Sequence, residues 1–117
     1  MTHGNKTAIS NYEVKLNGEG ASTDVVSRSV AKDSSYQKFD SLILGNAACT
    51  GHTECDAIIM DDARILAVPQ LEANHIDAAL IHEAAIGKIA GEQLIKLMTL
   101  GLTASEAEEQ IINGFLK

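Results

Sequence analysis

The sequence predicts a mainly β chain ending in α-helix, with the β part stacked as coils of a parallel β-helix and the end folded as a helical hairpin. Three observations lead there. From Lys6 to about Ile86 the apolar groups are short and interrupted by Gly, Asn, Asp and Ser. One of them is echoed at a fixed spacing. After Ile86 the apolar residues follow a helical period instead of alternating.

Tyr12, Val14 and Leu16 alternate as a strand does, and Gly18-Glu19-Gly20 reads as a turn between coils. It is too short for a dinucleotide fingerprint and carries an acid where phosphate would lie. Val25-Val26, Leu42-Ile43-Leu44, Ile58-Ile59-Met60, Ile65-Leu66-Ala67-Val68 and Ala78-Ala79-Leu80-Ile81 are each too short to be helices. Phe39-Asp40-Ser41-Leu42-Ile43-Leu44 is echoed sixteen residues later by Cys55-Asp56-Ala57-Ile58-Ile59-Met60, and loosely again by Leu71-Glu72-Ala73-Asn74-His75-Ile76. A coil that cannot bury its own inner face must stack on the next, so the echo favours a β-helix. An antiparallel meander could also produce one such echo.

Leu94, Ile95, Leu97 and Met98 lie in an unbroken stretch that stops at Gly101, which predicts a helix. Thr103 followed by Glu106 is a capping-box pattern, and Ala107, Ile111, Ile112 and Phe115 share one face of a second helix. The division expected is a β-helix segment over 1–86 and a helical subdomain over 87–117. Apolar faces of the hairpin either cap the last coil or dock a partner.

With 117 residues the chain has room for one domain. Hydrophobic residues make up 45% but aromatics only 3%, which suits thin aliphatic layers better than a thick sandwich. A net charge of −7 gives no stripe for a polyanion, so nucleic acid and membrane surfaces are excluded as partners. No apolar run has the length of a membrane span, and Met1 to Ser10 lack the apolar stretch of a signal peptide, so a cytoplasmic location is expected. In that compartment Cys49 and Cys55 stay reduced.

Cys49, His52 and Cys55 form a C-x2-H-x2-C cluster with Glu54 inside it, followed by His75, His82 and Glu83. Thiolate, imidazole and carboxylate are ligands for zinc or iron, although the spacing matches no standard zinc motif. The plainer alternative makes Cys55 a small apolar residue facing a coil interior, with His52 and His75 on turns. A nucleophilic Cys55 with His82 as base lacks a Gly-rich oxyanion turn.

The stretch from Cys55-Asp56 through Pro69-Gln70-Leu71-Glu72 to His82-Glu83-Ala84-Ala85-Ile86-Gly87-Lys88-Ile89-Ala90-Gly91-Glu92-Gln93-Leu94, with Ile111-Ile112-Asn113-Gly114-Phe115 beyond it, resembles the C-terminal part of the SufB/SufD iron–sulfur assembly proteins. That resemblance covers about half of the chain. It implies the last coils of a right-handed parallel β-helix and the C-terminal helices. It also implies a non-enzymatic scaffold that holds a transient iron–sulfur cluster of the [2Fe-2S] type through Cys55, His82 and Glu83; Cys49, outside the resemblance, is the candidate for an additional cofactor-binding thiolate. Retention of all three residues is SufB-like. Ile59-Met60-Asp61 departs from the Leu-x-Gly usual after the Cys-Asp strand, and Cys49-Thr50-Gly51-His52 has no familiar counterpart. Further implications are a homodimer or a pairing with a related SufB/SufD subunit, raising the thiolates from two to four, and docking of a SufC-type ABC ATPase through Leu94, Met98, Ile112 and Phe115. ATPase activity would belong to that partner. The rival expectation is a β-helical interaction module that docks the ATPase and never touches iron.

Overall fold

The computed structural model describes residues 1–117. Six strands, β1 (Thr7–Leu16), β2 (Ala21–Ala31), β3 (Tyr36–Gly45), β4 (Cys49–Ile59), β5 (Arg64–Ala73) and β6 (Ala78–Gly87), precede helices α1 (Gly91–Met98) and α2 (Ala104–Leu116). Consecutive strands belong to different sheets. The odd strands form one three-stranded parallel sheet, β1-β3-β5, and the even strands the other, β2-β4-β6. Each pair of strands is therefore one coil of a parallel β-helix, and each coil hydrogen-bonds in register to the next.

The period of the stack follows from the register. Thr7 pairs with Tyr36 and Tyr36 with Arg64, while Ala21 pairs with Cys49 and Cys49 with Ala78, so a coil takes 28 or 29 residues. The sixteen-residue echo is not this period. Phe39–Leu44 lies on β3 and the Cys55–Ile59 part of its echo on β4, so the echo relates the two halves of one coil. Leu71–Ile76 leaves β5 after Ala73.

The true period is carried by polar turn residues. Asn17, Asn46 and Asn74 form a ladder in which Asn46 Nδ2 donates to Asn17 Oδ1 and Asn74 Nδ2 to Asn46 Oδ1, both at 2.8 Å. At the opposite turns Gly4, Asp33 and Asp61 all have positive φ, at 61°, 58° and 57°. Asp adopts this left-handed conformation more readily than most residues, because its short carboxylate can bond locally. Here each carboxylate bonds backward along the stack, as the N–H of Gly4 donates to Asp33 Oδ2 at 2.8 Å and that of Asp33 to Asp61 Oδ2 at 3.2 Å.

The interior is thin. The molecule is 17 Å across its shortest axis, room for two sheets packed face to face and little more. Only 16 residues are buried, and the apolar packing gathers in two clusters of three buried residues each at opposite ends of the strands. Leu16, Ile43 and Cys49 form one, between the sheets, with Val14 and Leu80 beside them. The other lies under the helices, where Ile112, Phe115 and Ile89 pack on Val30, Ile58 and Met60.

Both helices form where the sequence places them. Thr103 Oγ1 accepts from the Glu106 N–H at 3.1 Å and Glu106 Oε1 from the Thr103 N–H at 3.2 Å, completing the capping box. Arg28 Nη1 donates to the Lys117 carbonyl at 2.8 Å and ties the end of α2 to β2. The hairpin does not cap the last coil, since it lies against the side of the β2-β4-β6 sheet and leaves β5 and β6 each with an unpaired edge. This divides the expected docking face. Ile112 shares an inward stripe with fully buried Ala107 and is itself 6% exposed, and Phe115 is half-buried against the same cluster. Leu94 is half-buried and Met98 exposed on α1.

Two substitutions separate the core from the ladder. Ile43→Ala removes a fully buried side chain and should cost about 2–5 kcal/mol. Asn46→Ala breaks two exposed hydrogen bonds and should cost about 1 kcal/mol. Urea unfolding of the two variants checks the order, and an Asn46 cost equal to that of Ile43 would contradict it.

Candidate functional site

Alternation along β4 assigns every candidate on it to a face. Cys49, Gly51, Thr53, Cys55 and Ala57 point between the sheets, whereas Thr50, His52, Glu54 and Asp56 point outward. A spacing of three on a strand reverses the face, so the C-x2-H-x2-C cluster does not converge: His52 stands outside and the two cysteines inside. Six residues of strand also separate Cys49 from Cys55 by roughly 20 Å. Cys49 packs with Leu16, Ile43 and Leu80, and a Cβ added to Gly45 would lie 3.2 Å from its Sγ. It is a core residue in a crowded corner, and the count of two thiolates per site falls to one. His75 sits in the β5–β6 turn, where its Nδ1 accepts the Asp77 N–H at 3.0 Å.

Cys55 is 2% exposed. Burial, with the nearby charge of Asp56 adding to it, pushes its thiol above the ordinary range and keeps it protonated at neutral pH. It lines a cavity of about 290 Å³ that includes Ser10, Ser27, Ser29, Gln37 and Phe39. His82, on the next coil, pairs in register with Thr53 while Cys55 pairs with Ala84. The two candidates are thus diagonal neighbours on the inner face, with backbones roughly 8 Å apart by strand rise and spacing. Fully buried Thr53 uses its hydroxyl on Tyr12 Oη at 2.7 Å, reaching across from the opposite sheet. His82 Nδ1 is buried and has no hydrogen-bond partner. An unpaired buried ring nitrogen is costly, and it is a potential ligand or proton acceptor.

Glu83 follows His82 directly and so faces the opposite way. On the outer face His52 lies between two carboxylates, Nδ1 2.8 Å from Asp24 Oδ1 and Nε2 3.3 Å from Glu83 Oε2. Asp24, His52 and Glu83 come from β2, β4 and β6, one from each even strand. The bond to Asp24, followed by that to Glu83, raises the His52 pKa above its ordinary value of 6.5. Within one chain the structure therefore brings Cys55 and His82 together and sets Glu83 apart. No three His, Cys, Asp or Glu side chains converge closely enough to hold a metal ion. Asp24 and Thr53 carry no signal in the sequence, and Tyr12 reads there only as a strand residue. Asp24 lies one coil, 28 residues, before His52, an offset that becomes a signal only once the period is known.

The sign of the His52 shift sets a pH dependence. Protonated His52 can donate to both carboxylates, so its stabilisation is fully present below pH 6.5 and is lost as pH rises through the raised folded value. The melting temperature of the wild type should exceed that of His52→Gln most at mildly acidic pH, with the gap closing toward alkaline pH. A gap that widens with pH would contradict the assignment.

The sequence has relatives among known proteins. The family model "SUF system FeS cluster assembly, SufBD core domain" matches residues 1–115. An iron–sulfur cluster assembly SufBD family protein of Methanothermobacter thermautotrophicus is 43% identical over 105 residues, 88% of this chain and 26% of that protein. One of Archaeoglobus fulgidus is 35% identical over 103 residues, covering 87% and 28%. A third, from Pyrococcus horikoshii, is 40% identical over 107 residues, covering 90% and 24%. The chain spans about a quarter of the length of these curated relatives. With nearly its whole length matched by the SufBD core, the chain belongs to the SufBD family of iron–sulfur cluster assembly proteins.

Proposed function

We propose that the chain acts as a scaffold component, holding a labile iron–sulfur cluster or its sulfur as cargo through the Cys55 thiolate and the His82 imidazole, with Glu83, next to His82 on the outer face of β6, as the third contributor. One observation carries this reading: a buried thiol and an unpartnered buried ring nitrogen face the same interior on adjacent coils. Few thiolates and weaker nitrogen and oxygen ligands suit a cluster that must be handed on. The role is that of a carrier rather than an enzyme, and it belongs in the cytoplasm.

A second subunit completes the ligand set. β5 and β6 have unpaired edges, and Leu66, Leu71, Ile81 and Ile86 on them are exposed. A symmetric pairing at these edges, with a second copy or a related subunit, would bring two Cys55 and two His82 residues together. Two thiolates and two imidazoles are a known ligand combination for a [2Fe-2S] cluster. The helical subdomain, with Met98 and Leu94 on α1, is where a SufC-type ATPase would dock.

Anaerobic reconstitution with ferrous iron and sulfide tests the proposal on protein verified as folded. Cys55→Ser should lose the iron, because a hydroxyl does not replace a thiolate on iron. His82→Ala and Glu83→Ala should form a cluster that dissociates roughly tenfold faster. Cys49→Ser should keep wild-type iron and lose stability. Equal iron in wild type and Cys55→Ser would leave the chain as a docking module for the ATPase.

Ligation must also displace the thiol proton that burial retains. Iron capture should therefore strengthen as pH rises from neutral, with proton release on loading. Capture that is flat with pH in the wild type, measured against Cys55→Ser as the blank, would contradict thiolate ligation.

A further inference from the structure

His52 is the part of the C-x2-H-x2-C motif that neither the cargo site nor the core absorbs. Its position has a definite geometry. On the outer face of the even sheet Glu83 pairs in register with Glu54, a carboxylate directly beside a carboxylate in neighbouring strands. Like charges so placed repel, and Glu83, with its side chain 62% exposed, is free to swing into solvent. His52 stands one column over, in register with Asp24 on one side and Ile81 on the other. Its Nε2 lies 3.3 Å from Glu83 Oε2 and its Nδ1 2.8 Å from Asp24 Oδ1.

We propose that His52 is the positioning residue of Glu83, drawing that carboxylate over β4 on the outer face of the even sheet while Asp24 fixes the imidazole. The claim rests on the scaffold reading for what Glu83 does, and on geometry for what His52 does to Glu83. The shorter bond is the one to Asp24, so the ring is anchored from the first coil, and its far nitrogen is presented to the third. Outer partners that orient a ligating side chain in this way commonly govern how long the bound species is retained. The structure thus gives a use to a histidine that does not face the cargo.

The test is a mutant cycle on the full chain, reading the lifetime of the reconstituted cluster. Glu83→Ala should shorten it roughly tenfold, and His52→Ala should shorten it to a similar value. The double variant should be no worse than either single one, because both remove the same contact. His52→Gln, whose amide can donate in place of Nε2, should restore most of the lifetime, whereas His52→Asn, which reaches only the Nδ1 position, should not. Additive effects, or a wild-type lifetime in His52→Ala beside a shortened one in Glu83→Ala, would overturn the proposal. Should Glu83→Ala keep the wild-type lifetime, the part of Glu83 in holding the cargo fails. The positioning claim is then read from the Glu83 carboxylate carbon resonance at neutral pH. A shift in His52→Ala and His52→Asn but not in His52→Gln supports it, and an unmoved resonance overturns it.

Discussion

In-register parallel pairing of each coil with the next is the constraint on which the rest of the molecule depends. Because every strand bonds to the one 28 or 29 residues away, residues at that spacing are stacked in columns. Columns produce the asparagine ladder, the carboxylates that bond back to the preceding turn, and the Asp24–His52 contact. They also fix Cys55 diagonal to His82. A slip of one residue would exchange inner and outer faces, putting Glu83 between the sheets and His82 in solvent.

The narrowness of the interior shapes its chemistry. Two sheets with few large side chains between them leave a middle section occupied by Tyr12, Ser41, Thr53, Ser27 and Cys55, of which Ser41, Thr53 and Cys55 are buried. The apolar clusters lie around Leu16 and Ile43 at one end of the strands and beneath α2 at the other. Stability comes from the ends and the ladders. The middle can therefore carry a buried thiol with a raised pKa and a histidine nitrogen without a partner, two groups that a tightly packed apolar core would not hold.

How much of this was legible in the sequence depends on how local each signal is. The helical hairpin was readable because its period and its Thr103–Glu106 box lie within a few consecutive residues. Strands were readable from Tyr12, Val14 and Leu16 and the short aliphatic groups, and the stack from their repetition. The coil length is not legible in the echo, because the strongest apolar similarity joins β3 to β4 across the two sheets. The correct spacing rests on single residues such as Asn17, Asn46 and Asn74, which carry no hydrophobic pattern. At the site, resemblance indicated Cys55, His82 and Glu83 but not their faces. Cys49-x2-His52-x2-Cys55 looked like a chelating set only while strand alternation was left out. Asp24 and Thr53 act through neighbours a coil away and were invisible until the register was known.

The central claim is that Cys55 and His82 together hold the cargo from the inner face. Its most direct measurement is pulsed electron paramagnetic resonance on the reduced, reconstituted protein with nitrogen-15-labelled histidine. The account predicts a hyperfine coupling from histidine nitrogen to the cluster that disappears in His82→Ala and persists in His52→Ala. A cluster whose spectrum shows no histidine coupling, or whose coupling survives in His82→Ala, would contradict it.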